Sequence, residues 1–235
     1  MSERRSLKSF KGPNWLWLLF GLSVVLGVVA SIKLLFWKPD ARLPDQVLSY
    51  SSDGRALPLH LFRPDGKPPR NGWPVLVLFH GGAWQRGGPE ALHPQCAYLS
   101  AAGYLCISVG YRVTERDGST PADSLKDARA AVAFLREQAT DLLIDPDRFV
   151  LGGGSAGGHL AAMLATGVQV NVADAVDPVG ARGLVLFNPM IDLAPGMPDH
   201  EYVADYWQSI SPLHQISGRL PPTLILLGDS DPEIS

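Results

Sequence analysis

Residues 152–158 read GGGSAGG, and this stretch constrains the fold more than any other part of the chain. An apolar run at residues 149–151 leads into it, and small residues follow it. Ser155 stands at the centre of a G-x-S-x-G pattern with Gly153 and Gly157, which is typical of a sharp strand-to-helix turn that exposes a strained serine. We expect glycine at those two positions because side chains there would collide with the neighbouring strand and helix. The sequence therefore predicts that Ser155 is a nucleophile at the end of a buried strand.

The same glycines also satisfy G-x-G-x-x-G, the dinucleotide-binding pattern. That pattern opens the first βαβ unit of its domain, and an acidic residue follows about 20 positions later at the end of the next strand. Here it follows several predicted strands, and Asp174 and Asp177 fall in a predicted loop. The dinucleotide interpretation is therefore weak. The other alternative is a glycine-rich turn with an incidental serine.

A second glycine motif, HGGAW at residues 80–84, directly follows an apolar run at residues 75–79. Backbone N–H groups at this place complete the oxyanion hole of serine hydrolases. Each such donor stabilises the transition state by around 3 kcal/mol. We expect His80 to brace this loop rather than to carry a proton. The predicted oxyanion donors are the backbone N–H groups of Gly81, Gly82 and Ala156.

Strands and helices alternate along residues 45–235. Apolar runs predict strands at residues 46–50, 58–63, 75–79, 104–109, 149–151, 183–187 and 223–227, and periodic segments predict helices at 90–102 and 122–139. A turn is predicted at residues 145–148. The alternation predicts an α/β fold with a mostly parallel sheet and helices on both faces.

Four segments carry a resemblance to a known family. They are HGGAW at 80–84, VGYR at 109–112, DPDR at 145–148 and GGSAGGHLA at 153–161. They resemble the α/β-hydrolase carboxylesterases of the hormone-sensitive-lipase and feruloyl-esterase-like type, over roughly residues 45–235. The resemblance implies an α/β-hydrolase fold, a Ser-Asp-His triad, and hydrolysis of small carboxylic esters through an acyl-enzyme intermediate, without cofactor or metal.

One departure from the family pattern widens the range of substrates. Ala83 stands where the lipase-like branch usually has a third glycine. The HGGAW form looks closer to the feruloyl-esterase, kynurenine-formamidase and isoprenylcysteine-methylesterase branches. An amidase or peptidase of the same fold therefore remains an alternative to a serine esterase, as does a non-catalytic hydrolase-fold binding protein.

The acid and the base of the triad are assigned from the C-terminal residues. The segment GDSDP resembles the family's G-x-x-D and selects Asp231 as the acid, with Asp229 as a turn residue. Asp192 is an alternative acid, which with His214 satisfies the chain order Ser, Asp, His. No histidine follows Asp231. We therefore expect a C-terminally truncated chain, with the last strand and helix missing and the catalytic histidine beyond Ser235.

Two tryptophans are predicted to contact the substrate. Residues 188–222 are expected to help form the acyl pocket, with Trp207 as a lining residue. Trp84 is expected to line the site as well, although an aromatic side chain at that place equally packs the loop. The predicted partner is thus a small-molecule ester.

The N-terminal residues predict a membrane anchor. Residues 15–37 are uncharged except for Lys33 and would span about 34 Å as a helix, enough to cross a bilayer. The basic residues of segment 1–14 favour a cytoplasmic N-terminus. After a linker at 38–44, the catalytic domain at 45–235 is expected outside, in a periplasmic, lumenal or extracellular location. A cleaved secretory signal is the alternative interpretation.

Charge and cysteine content set two further bounds. The net charge is −3, and residues 41–235 alone carry 14 basic and 21 acidic side chains, so we predict no nucleic-acid partner. Cys96 is predicted on a helix and Cys106 on the following strand. Because a helix packed on a sheet keeps its axis far from the strands, we expect two buried free thiols rather than a disulfide.

Overall fold

A mixed β-sheet forms the centre of the domain in the computed structural model, which describes residues 42–167, 180–216 and 218–229. Within those ranges the sheet has seven strands in the order β1-β2-β4-β3-β5-β6-β7. The pairs β1–β2 and β2–β4 are antiparallel, and the others are parallel. The strands are β1 (Gln46–Ser52), β2 (Arg55–Phe62), β3 (Trp73–Phe79), β4 (Leu105–Val109), β5 (Ile144–Gly154), β6 (Gly183–Phe187) and β7 (Thr223–Leu226).

Helices connect the parallel strands. Those described are α1 (His93–Ala101), α2 (Thr114–Asp117), α3 (Pro121–Glu137), α4 (Ala156–Thr166), α5 (Trp207–Ile210) and α6 (Pro212–Gln215), with 3₁₀ turns at Pro89–Leu92 and His200–Tyr202. The start of α3 is fixed by a capping box between Thr120 and Asp123, with Pro121 in the first turn. In the described ranges no helix has the length and apolar character needed to span a bilayer. The anchor predicted at residues 15–37 lies outside those ranges.

The two faces of strand β3 are buried in two separate apolar clusters. Val75, Val77 and Phe79 face one cluster, which α3 and α4 cover. Leu76 and Leu78 face the other, which α1 covers. Since successive side chains of a strand point to opposite faces, a strand covered on both sides must be apolar throughout. The predicted mostly parallel sheet with helices on both faces is therefore confirmed.

The turn predicted at residues 145–148 lies inside strand β5, not before it. The Asp145 carboxylate accepts the Asp147 N–H at 3.0 Å and the Arg148 Nε–H at 2.7 Å. Pairing with β3 shifts register here, from Trp73 opposite Ile144 to Val75 opposite Phe149. The extra residues of β5 therefore form a bulge within the strand.

The prediction of free cysteines is wrong. Cys96 on α1 and Cys106 on β4 form a disulfide, with their Cα atoms 5.1 Å apart. Both side chains are fully buried in the cluster that α1 covers. The sequence argument used the distance from the helix axis to the sheet, but the Cα of Cys96 lies on the side of the helix that faces β4, closer to the sheet than the axis is.

We expect the disulfide to stabilise the domain by about 2–3 kcal/mol, because it closes a loop across a sequence separation of 10 residues. Urea unfolding of the wild type and of the double variant Cys96→Ala/Cys106→Ala measures this contribution. A reductant should lower the midpoint of the wild type and leave that of the double variant unchanged. Equal wild-type midpoints with and without reductant would contradict the cross-link.

Candidate active site

Ser155 forms the junction between strand β5 and helix α4. Its backbone has φ 48° and ψ −118°, a conformation that costs energy for any residue with a side chain. Three hydrogen bonds hold it there. The Ser155 N–H donates to Phe187 O at 3.0 Å, and Ser155 O accepts the N–H groups of His159 at 3.0 Å and Met190 at 3.3 Å. The surrounding backbone therefore fixes the strained turn, and Ser155 lines an open cavity.

The two glycines of the G-x-S-x-G pattern are sterically required, as predicted. A Cβ at Gly153 would lie 2.5 Å from the carbonyl carbon of Gly157. A Cβ at Gly157 would collide with the carbonyl oxygens of Phe79 and His80. Gly154 differs, since the nearest atom to a Cβ there would be Phe187 O at 3.8 Å. Close approach of β3 and α4 to the elbow is thus what demands glycine at 153 and 157.

The HGGAW loop lies against the elbow. A Cβ at Gly81 would come within 3.1 Å of Gly154 O and 3.5 Å of the Ser155 Cβ. Gly82 has φ +124°, and its carbonyl accepts the N–H groups of Gln85 at 2.9 Å and Arg86 at 3.1 Å. These contacts bring the loop that follows β3 to the nucleophile.

The backbone N–H groups around Ser155 differ in whether they already form a hydrogen bond. The Ser155 N–H donates to Phe187 O. Ala156 is the first residue of α4, so its N–H has no carbonyl four residues earlier within the helix. Gly81 and Gly82 do not use their N–H groups in the backbone hydrogen bonds of their loop. The three residues predicted as oxyanion donors therefore surround Ser155, and their role stays a prediction.

His80 is packed beneath the loop. Its ring stacks on Tyr111 with centroids 4.1 Å apart, and the Tyr111 hydroxyl donates to His80 O at 2.6 Å. The His80 Nδ1 lies 2.8 Å from Gly81 O, which can only accept, so Nδ1 carries the hydrogen. Burial lowers the pKa of His80 to about 4, so the ring is neutral at pH 7. Its position fits a brace for the loop.

A buried ion pair anchors the segment that carries Tyr111. Arg112 donates from Nε at 2.8 Å and from Nη2 at 2.7 Å to the Asp127 carboxylate, and its backbone N–H donates to the same group at 2.9 Å. The Asp127 side chain is fully buried on α3, and its carboxylate raises the pKa of Arg112. The VGYR segment therefore has a structural function in this chain: it fixes the residue on which His80 stacks.

Trp84 lies in the core and not at the cavity. Its side chain is 0% exposed and packs edge-on against His159, with centroids 4.9 Å apart. Burial lowers the pKa of His159 to about 4, and its Nε2 lies 2.6 Å from Ile210 O. Trp84 therefore does not line the site as predicted, and the alternative that it packs the loop is the one that the structure shows.

The cavity at Ser155 has a volume of about 370 Å³. Trp207 is not among its lining residues and instead packs edge-on against His214, with centroids 4.9 Å apart. Sequence reasoning missed most of the cavity wall, although two of its residues directly follow HGGAW. The lining residues are Gly82, Ala83, Gln85, Arg86, Ser155, Pro198, Asp199 and Tyr202.

The triad partners are not brought to Ser155 within the described ranges. Asp231 lies outside them. All six histidines are described, and each has a hydrogen-bond partner other than Ser155. His214 Nδ1 lies 2.9 Å from Ser211 Oγ and 3.7 Å from the Asp192 carboxylate, which also accepts the Ala194 N–H at 3.0 Å. The acid and the base therefore stay predictions.

A strained serine between a parallel strand and a helix, with a two-glycine loop from the neighbouring strand beside it, defines the α/β-hydrolase fold. The BD-FAE family model matches residues 59–182, and the chain belongs to this family.

Two relatives from Mycobacterium tuberculosis, both named as esterases, agree with this assignment. The chain is 29% identical over 209 residues to esterase LipQ of Mycobacterium tuberculosis, a match that covers 80% of this chain and 49% of LipQ. Carboxylesterase NlhH of the same species is 33% identical over 129 residues, which cover 54% of this chain and 39% of NlhH. The chain thus spans about half the length of LipQ.

A solved structure matches more completely. An esterase of Thermogutta terrifontis with butyrate bound has a TM-score of 0.72 and 32% identity, with 83% of this chain and 76% of that chain covered. The same enzyme phosphonylated by sarin has a TM-score of 0.72 and 31% identity, with coverage of 84% and 77%. The resemblance to α/β-hydrolase carboxylesterases is therefore confirmed.

Proposed function

We propose that the protein is a serine hydrolase that cleaves small carboxylic esters through an acyl-enzyme intermediate on Ser155. The observation that carries the proposal is the placement of Ser155 on the wall of a cavity that it shares with Gly82 of the HGGAW loop. The names of the esterase relatives support the same reaction.

In the proposed reaction the Ser155 Oγ attacks the carbonyl carbon of the ester, and the alcohol leaves with a proton. Water then attacks the acyl-enzyme and releases the acid. The backbone N–H groups of Gly81, Gly82 and Ala156 stabilise the oxyanion in both steps. In this proposal Asp231 is the acid of the triad and orients the general base that takes the proton from Ser155.

The proposed location of the domain is outside the cytoplasm, with residues 15–37 as the anchor. The Cys96–Cys106 disulfide supports this location, because such bonds persist in oxidising compartments and are rare in the cytosol.

The experiment that tests the proposed reaction compares p-nitrophenyl butyrate with the matched butyryl p-nitroanilide as substrates of the whole protein. We expect turnover of the ester and none of the anilide. Cleavage of the anilide alone would contradict the proposal in favour of an amidase. Absence of turnover on both substrates would contradict it in favour of a non-catalytic binding protein.

A further inference from the structure

The cavity at Ser155 is lined by an arginine side chain whose charge has no partner among the described residues. Arg86 is exposed and lines this cavity, and its guanidinium forms no ion pair or hydrogen bond with a described residue. Two arginines elsewhere in the domain are paired, Arg112 with Asp127 and Arg148 with Asp145. The charge of Arg86 is therefore available to a bound molecule.

The backbone places Arg86 close to the proposed reaction centre. A tight turn connects it to Gly82, whose carbonyl accepts the Arg86 N–H at 3.1 Å. A Cβ at Gly82 would lie 3.5 Å from the Arg86 Cγ, so the aliphatic part of Arg86 rests against the loop with the predicted oxyanion donors. A ligand held by those donors is thus within the reach of the guanidinium.

The cavity lining holds one carboxylate, Asp199, and it forms no ion pair with Arg86. Gln85 and Tyr202 are uncharged polar side chains. The rest of the domain would repel an anion, because residues 41–235 carry 14 basic and 21 acidic side chains. A preference for anions at this site must therefore come from Arg86 itself and not from the overall field.

We propose that Arg86 is a specificity-determining residue that binds an anionic group of the substrate. The substrate class is then an ester with a second, free carboxylate a few bonds from the scissile carbonyl, such as a half-ester of a dicarboxylic acid. A guanidinium presents paired donors that match the two oxygens of a carboxylate. This inference rests on the proposed ester site at Ser155.

Binding to the Ser155→Ala form of the whole protein, followed by NMR titration, tests the inference without turnover. The two probes are monomethyl glutarate, which is anionic, and its neutral isostere methyl 4-carbamoylbutanoate. We expect monomethyl glutarate to bind roughly three- to tenfold more tightly, and the difference to shrink as NaCl is raised. Adding Arg86→Gln should remove the difference by weakening only the anionic probe, and Arg86→Lys should retain part of it.

Arg70 provides the matched control, since it is an exposed arginine that does not line the cavity. Arg70→Gln should leave both affinities unchanged. If Arg86→Gln changes neither affinity, or weakens both probes equally, the inference is overturned while the ester site stands. If neither probe binds the Ser155→Ala protein, the proposed ester site is overturned together with the inference.

Discussion

Ser155→Ala is expected to lower kcat/KM for p-nitrophenyl butyrate by at least about 10⁴-fold, because no acyl-enzyme can form without the hydroxyl. The oxyanion donors and the binding cavity would remain, so any residual rate reflects these alone. Steady-state kinetics of the whole protein measure the effect.

The fold of the variant provides the control for this result. Alanine keeps the Cβ of Ser155, and the three backbone hydrogen bonds at this residue do not involve its side chain. The thermal midpoint should therefore stay close to that of the wild type. Ser209→Ala, whose hydroxyl donates to Tyr206 O away from the cavity, should keep full activity. Activity of Ser155→Ala within tenfold of the wild type would contradict the assignment of the nucleophile.

Gly157→Ala is expected to destabilise the domain by about 3 kcal/mol or more. The new Cβ would collide with the carbonyl oxygens of Phe79 and His80, and these backbone atoms cannot rotate away as a side chain can. Because the same backbone carries the HGGAW loop, any relaxation would also move the predicted oxyanion donors. Urea unfolding measures the free energy of unfolding.

Gly154→Ala is the matched control, one residue before the nucleophile in the same motif. Its Cβ would meet nothing closer than 3.8 Å, and Gly154 is not among the glycines with positive φ. We expect its free energy of unfolding to change by less than about 1 kcal/mol. Equal destabilisation by the two substitutions would contradict the steric account of the elbow.

The sequence predicts the elbow and the sheet because their constraints are local. Gly153 and Gly157 exclude side chains around one residue, and the apolar run of β3 requires cover on both faces. The order of motifs along the chain then places the HGGAW loop beside Ser155.

The wall of the cavity could not be predicted in the same way. Pro198, Asp199 and Tyr202 belong to an irregular segment in which Asp199 has φ 59°, so no periodicity indicates which side chains turn toward Ser155. Ala83 and Trp84 have φ of 52° and 58°, which are uncommon for residues with a side chain, so the sequence does not indicate that Trp84 points inward. Long-range packing determines both the lining of the cavity and the direction of the Trp84 side chain.

The disulfide on the other face of the sheet is a second feature that depends on long-range packing. Whether Cys96 and Cys106 can join depends on which side of α1 faces β4 and how closely the two elements pack. A difference of a few ångströms between helix axis and Cα separates a cross-link from two free thiols. The rotation of a helix against a sheet is a tertiary property, so an argument from the distance between helix axis and sheet gave the wrong result.

The most direct test of the central claim is covalent labelling with a reactive organophosphonate, followed by peptide mass spectrometry. Cleavage after Arg148 and Arg182 releases residues 149–182, in which Ser155 is the only serine. We predict one adduct per chain, on that serine, and loss of ester hydrolysis in proportion to labelling. An adduct on another residue, or continued hydrolysis by fully labelled protein, would contradict the assignment of Ser155 as the nucleophile.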